Sequence, residues 1–389
     1  MTRRRGQAGT AGRLAAGVLV AGRLAAGVLV AGSLAGVVPA VVPAVGAQEM
    51  HARHAASPET GRPTTSTASI RLVDDPERRE LAVILGPIDL PARSSHHIAQ
   101  LPVQEGVIPF DLTIRGYRTH VIDGDGEPVP RVVLHHMNLL DPGRRELFLP
   151  IMLRVLAASH ETRPVSLPGW LFGIPMRGGS RFLALTMLHN PTAVDYAGVT
   201  VHLTLEYERL APLPVYSLAP FHLDAMYPEV SATKAWDLPP GHSVKTWDAS
   251  PAIRGLIMGL GGHLHAHASR LRLENLSTGE VLYDIRPKLA EDGHVVDIPA
   301  FTHRRRGVGA LVVPEHRYRI TVEYLNPFDA VIEDGGMGSI AGVFIPLEDW
   351  PAADPREALF AADYDWVLRS QIQHGAVSSP GGSGERARC

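Results

Sequence analysis

Three histidines at alternate positions, His263, His265 and His267 in GGHLHAH, are the residues whose type and spacing most directly suggest chemistry. Strand side chains alternate between faces, so this spacing predicts three imidazoles on one face of a strand beginning near Gly262. Same-face neighbours lie about 6–7 Å apart, and rings that lean together can reach one metal ion at about 2 Å. The plain alternative is a solvated polar face. A second group stands upstream in RVVLHHMNLL, where His135 and His136 are adjacent. Adjacent strand side chains diverge, so shared ligation by this pair requires a strand end, a bulge or different ring nitrogens. His189 closes LTMLHNP just before Asn190-Pro191, at a strand rim, and offers a third imidazole.

A soft ligand is available from Met337 in EDGGMGSIAGVF, where glycines permit close backbone approach. Met137 and Met258 compete with it, a place in the core being the commoner role of any one methionine. Imidazole with thioether suits copper, Cu(I) above all, better than zinc, magnesium or calcium. His267 is the alternative third ligand, and in place of the thioether it would harden the site. The chain has 19 histidines, so chance neighbours such as His96-His97, a strand residue such as His202, and His51, His54 and His374 in the ends are also expected. No nucleophile elbow, phosphate loop, dinucleotide fingerprint or zincin pattern is present.

The elements that must position these residues are short strands. From Ile70 to Leu210 the segments ELAVILG, FDLTIRGYRTHVID, RVVLHHMNLL, RFLALTMLHN and GVTVHLTLEYE are separated by Pro, Gly and Asp-rich turns, with Asp123-Gly124-Asp125-Gly126 as a hairpin turn. Residues 211–232 lack sustained alternation and are expected to link two domains. A second set follows: HSVKTWDA, the histidine strand, ASRLRLENLSTGEVLYDI, HVVDIP, YRITVEYLN and SIAGVFIP. A short helix is predicted in REALFAADYDWVLRSQI, before a Ser/Gly-rich tail.

The 38 glycines and 32 prolines of this 389-residue chain suit an all-β architecture, and the length suits two cores. A net charge of −3, with no basic stripe, argues against a nucleic-acid partner. Cys389 is the one cysteine, so neither disulfides nor thiolate ligands hold the fold, and oligomeric state is not legible. Residues 1–47 carry Arg3, Arg4 and Arg5, an apolar Ala/Gly/Leu/Val stretch and the small-residue end Val45-Gly46-Ala47, the pattern of a secretory signal. The decamer AGRLAAGVLV occurs twice and lengthens the apolar region, so an uncleaved membrane anchor is the alternative. Residues 48–67 are expected to be a disordered lead-in.

Taken together, the segments resemble the copper type II, ascorbate-dependent monooxygenases, the group that contains peptidylglycine α-hydroxylating monooxygenase and dopamine β-monooxygenase. LHHMNLL is similar to that family's HHM strand. LTMLHNPTAVDYAGVTVHLTLEY is similar to its strand-turn-strand, and GGHLHAH to its H-x-H strand. The motifs span about residues 115–346 in the family's order. The resemblance implies two tandem antiparallel β-sandwiches of jelly-roll type, over 68–212 and 213–350, with the helix and tail in 351–389. It implies an electron-donating copper on His135, His136 and His189, and an oxygen-activating copper on His263, His265 and Met337. Ascorbate or a similar reductant would reload both, and a small substrate would be hydroxylated at an aliphatic C–H by O2. The family's peptide-hydroxylating enzyme has an arginine just before H-x-H that anchors the substrate carboxylate; Gly261 stands there in this chain. Its extracellular members are also disulfide-rich, unlike this chain. The chain further resembles plant stress-upregulated nodulin-related proteins and their bacterial relatives, through EPVPRVVLHHM, the glycine-flanked histidine strand and the late Met-Gly. A non-catalytic extracellular copper protein, for storage, sensing or delivery, is the alternative reading.

Overall fold

The computed structural model describes residues 69–94, 99–160, 162–167, 171–209, 216–226, 235–302 and 309–375. The leader, the lead-in, His51, His54, His96-His97 and Cys389 lie outside them. The main strands are β1 (Ser69–Asp75), β2 (Glu80–Leu90), β3 (Ala99–Val107), β4 (Leu112–Ile122), β5 (Leu134–Arg145), β6 (Met152–Ala158), β7 (Phe172–Met176), β8 (Arg181–Leu188) and β9 (Tyr196–Arg209). They continue as β10 (Ala219–Asp224), β11 (Gly241–Ala249), β12 (Gly255–Leu264), β13 (Ala268–Asn275), β14 (Glu280–Ile285), β15 (Ala310–Val312), β16 (Tyr318–Asn326) and β17 (Gly338–Pro346), before helix α1 (Ala358–Gly375).

Alternation explains these strands. In β16, Tyr318, Ile320, Val322 and Tyr324 are buried while Arg319, Thr321 and Glu323 are partly open, the pattern of a sheet with one face on a core. The strand order is that of two jelly rolls. In the first, β2-β9-β4-β7 faces β3-β8-β5-β6, with β1 added at the edge of β2. In the second, β10-β17-β12-β15 faces β11-β16-β13-β14, the same order shifted by eight strands. Eight consecutive strands are thus dealt four to each sheet, alternating between the two except at β5–β6 and β13–β14, which stay in one sheet, as jelly-roll winding requires. The pairings are antiparallel except for the two-residue strand Tyr216–Ser217, which runs parallel to β7.

The equivalent turns after β8 and β16 are built alike. Asn190 is fully buried and donates to the Leu90 and Val194 carbonyls while its own oxygen accepts from the Thr192 N–H. Asn326 donates to the Leu238 and Ala330 carbonyls and accepts from the Phe328 N–H. Each Asn-Pro step therefore sets a buried amide, bonded to three backbone groups, beneath an open turn.

Two expectations are corrected. The segment expected to link the domains contains β10, the first strand of the second sandwich. Its run APFHLD is covered on both faces, and alternation vanishes when both faces are covered. The H-x-H strand does not begin near Gly262; β12 ends at Leu264, and His265 to His267 turn the chain into β13.

The sandwiches interlock. The β5–β6 connection places Leu147, Phe148, Leu149 and Ile151 in the second core, with the Phe148 ring 5.7 Å from Phe221 and 6.1 Å from Tyr318. Full burial of side chains of this size stabilises by about 1.5–3 kcal/mol each. In return, Leu256, Met258 and Val343 pack against the first core. Helix α1 lies where predicted and buries Phe360 and Val367 against Leu183, Leu185 and Met152.

Candidate metal centre

Each sandwich brings imidazoles to this junction. In the first, Met187 pairs with His136 but Leu188 pairs with Leu134, so His135 is the extra residue of a β-bulge at the start of β5. A bulge turns consecutive side chains towards one side. The His135 and His136 rings accordingly lie 4.2 Å apart. His189 follows β8, its N–H bonded to the Val133 carbonyl at 3.0 Å, and its ring lies 5.3 Å from His135.

In the second sandwich His263 sits in β12 opposite Ser339 of β17. A Cβ at Gly262 would meet the buried Leu271 Cδ2 at 2.3 Å and the Ser339 carbonyl at 3.0 Å, so a side chain there would displace Leu271. Beyond the strand, Tyr324 fixes the next histidine. Its buried hydroxyl accepts from the His265 and Met337 N–H groups, both at 3.1 Å, and donates to the Met337 carbonyl. Burial pushes this phenol up to about 12, so it keeps its proton. The backbones of His265 and Met337 are therefore clamped together. Met137 is a core residue and Met258 packs against the first core.

Tyr324→Phe leaves the Met337 N–H without a partner and the His265 N–H with only its 3.4 Å bond to the Met337 carbonyl. We expect a loss of about 1–3 kcal/mol in urea unfolding, with the β-sheet content intact by circular dichroism.

The two groups meet. Ring contacts run from His189 to His135 to His136, then across the junction to His263, 5.5 Å from His136, and on to His265, 5.5 Å further. His267 does not join them. It adopts φ +66°, its N–H bonds to the Gly293 carbonyl, and its ring stacks edge-on against Phe328. The expectation of three imidazoles on one face of a strand fails because the strand ends at Leu264, before both His265 and His267.

Electrostatics favours the neutral form of His135, His136, His189 and His263. Burial, then neighbouring His189, pushes His135 down to about 4; burial, then His265, pushes His263 down to about 3. Burial holds His136 well below the usual range and lowers His189, a shift that the Val132 carbonyl opposes. Neutral imidazole is the ligating form. The Nε2 atoms of His189 and His263 are buried and lack a hydrogen-bond partner. Such orphaned acceptors are what a ligand would satisfy. As the side chains stand, no three His, Cys, Asp or Glu groups among the described residues converge on a single ion position. Joint ligation therefore requires ring rotations about the side-chain bonds.

Sequence reading missed three contributors. His160, just after β6, bonds its N–H to the Leu134 carbonyl and lies close enough to lower His135, His189 and His263. Arg154 in β6 contributes positive charge to His136 and His263 and donates Nη1–H to His222 Nε2 at 2.8 Å. Glu146, 1% exposed, accepts from the Arg154 N–H at 2.7 Å and the His222 N–H at 3.0 Å, so one carboxyl ties β6 to β10. Only the long-range pairing of strands brings these residues together. Gly261 bears no side chain, and a Cβ there would meet nothing within 4 Å.

No protein-family model matches this chain, and no curated protein matches it. Among solved structures, the major capsid protein P2 of bacteriophage PM2 aligns with TM-score 0.33 and 11% identity, covering 68% of this chain and 98% of that one. The Sulfolobus turreted icosahedral virus structure aligns with TM-score 0.30 and 8% identity over 76% and 99% of the two chains. PNGF-II gives TM-score 0.31 and 8% identity over 70% and 66%. These likenesses are too distant to carry an argument about function; the jelly-roll assignment stands on the strand order. Among the described residues no helix is long and apolar enough to cross a membrane.

Proposed function

We propose that this chain is an exported copper protein whose copper is held by His135, His136, His189, His263, His265 and Met337, and that it hydroxylates an aliphatic C–H of a small substrate. The co-substrates are O2 and a reductant such as ascorbate. The observation that carries the reading is the continuous contact of imidazoles from both sandwiches, with orphaned Nε2 atoms on His189 and His263. Its donor chemistry, neutral imidazole beside a clamped methionine, fits copper. Bound copper supplies one-electron transfer and oxygen activation.

The chain's own residues hold and tune the centre. Tyr324 fixes where His265 and Met337 stand, while Glu146 and the Phe148 loop fix where the first sandwich's imidazoles stand relative to the second's. Arg154 sets a positive charge near His136 and His263, which favours the less charged, reduced ion. Export rests on the basic and apolar N-terminal segment.

The contact between His136 and His263 favours one second reading. Rings 5.5 Å apart leave no gap for a substrate between the two groups, as suits a cluster that stores, senses or delivers copper without turnover. Oxygen uptake by the copper-loaded chain separates the two readings. The monooxygenase reading expects ascorbate-dependent uptake above that of free copper, abolished by His263→Ala. Tight copper binding without uptake would overturn it in favour of storage or delivery.

A further inference from the structure

We propose that His120 and His202 form a separate metal site, a two-imidazole chelate on the outer face of the first sandwich that takes a borderline divalent cation, Cu(II) in preference to Ni(II) or Zn(II). The pair lies in the sheet opposite the one that carries His135, His136 and His189. His120 of β4 and His202 of β9 are direct cross-strand partners. Val201 and Leu203, on either side of His202, are core residues, so His202 faces away from the core.

Directly opposed residues hold their Cβ atoms about 4.5–5.5 Å apart, and these two rings have centroids 4.9 Å apart at 30°. Two adjacent ligands at 2.0–2.1 Å from one ion place their nitrogens roughly 3 Å apart, which rotation of each ring about Cβ–Cγ supplies. Water would fill the remaining positions. The order of preference is the general one for imidazole ligands, with Cu(II) strongest.

The surroundings orient one ring. Thr200 Oγ1 lies 3.0 Å from His202 Nε2 and 3.4 Å from the Ile122 carbonyl. When its hydroxyl proton goes to Ile122, His202 carries its own proton on Nε2 and Nδ1 keeps the lone pair for a metal, the tautomer that ligation through Nδ1 selects. Ligating histidines ordinarily donate their second N–H in this way, which fixes tautomer and ring direction. Two cations lie near. Arg118 is neutralised by Glu80 at 2.8 Å and Glu206 at 2.9 Å. Arg71 is exposed, and the register sets Ile84 between it and His202. Burial lowers both imidazoles; proximity to Arg118 adds to this for His120, and proximity to His120 adds to it for His202, which falls to about 4. Both rings are therefore available as neutral ligands at neutral pH.

Equilibrium dialysis of the full chain against Cu(II) near neutral pH tests the site, with fold checked by circular dichroism. His120→Ala and His202→Ala are each expected to remove one Cu(II) equivalent, and the double variant to remove that same one and no second. His120→Gln and His202→Gln, milder at these partly open positions, are expected to behave alike. Thr200→Val is expected to keep the equivalent but weaken it about 10-fold. An unchanged copper count in both single variants, or a loss confined to one of them, would overturn the proposal.

Discussion

Glu146→Ala is expected to cost about 3–5 kcal/mol in urea unfolding, more than the loss of any exposed charge in this chain. The carboxyl is 1% exposed and accepts from the Arg154 and His222 N–H groups. Truncation leaves both donors buried without that acceptor, at about 1–3 kcal/mol each. Burial pushes the Glu146 carboxyl up to about 7 against a usual 4.5, the backbone donors and Arg154 only partly opposing it. The folded state therefore binds the proton more tightly than the unfolded state does. This contribution to stability is fully present below the unfolded value and is lost as pH rises through about 7. For one group the slope is about 1.4 kcal/mol per pH unit, so the interval amounts to something on the order of 3 kcal/mol. Glu146→Gln removes this component. The stability of wild type relative to Gln should thus fall between pH 5 and pH 8, and a constant difference would sink the assignment. Taking the difference matters, because the depressed histidines slope the opposite way.

Phe148→Ala is the second large effect, at about 3–5 kcal/mol. The ring crosses from the first sandwich into the second core, between Phe221 and Tyr318. Because it holds the junction, its loss should also weaken copper binding although Phe148 is no ligand. A folded Phe148→Ala chain with undiminished copper affinity would show that the junction does not position the imidazoles.

Alternation made the jelly-roll strands legible, because single buried faces leave a period of two in segments such as YRITVEYLN. The His135-His136 pair was legible as well, with a bulge among the three arrangements that let both rings serve one site, and the pairing of Met187 and Leu188 supplies it. The end of β12 was not. His267 continues the spacing of His263 and His265 but takes positive φ, a turn conformation that spacing alone does not reveal. β10 escaped because strands buried on both faces lose their period. Contact between the two histidine groups was also hidden, since it depends on how Leu147 to Ile151 dock into the other core. His160 and Arg154 join the centre through the pairing of β6 with β5. The Asn190-Pro191 step was visible in LTMLHNP, and its likeness to the turn at Asn326 emerges only from the buried amide contacts.

The central claim is that imidazoles from both sandwiches hold copper together, and the most direct test is copper per chain after reconstitution and desalting. Wild type, His135→Ala and His263→Ala would be compared with residues 1–47 removed. The account predicts copper in the wild type and less copper in each variant, although the two substitutions lie in different sandwiches. Copper-free wild type, or copper that survives both substitutions unchanged, would contradict it.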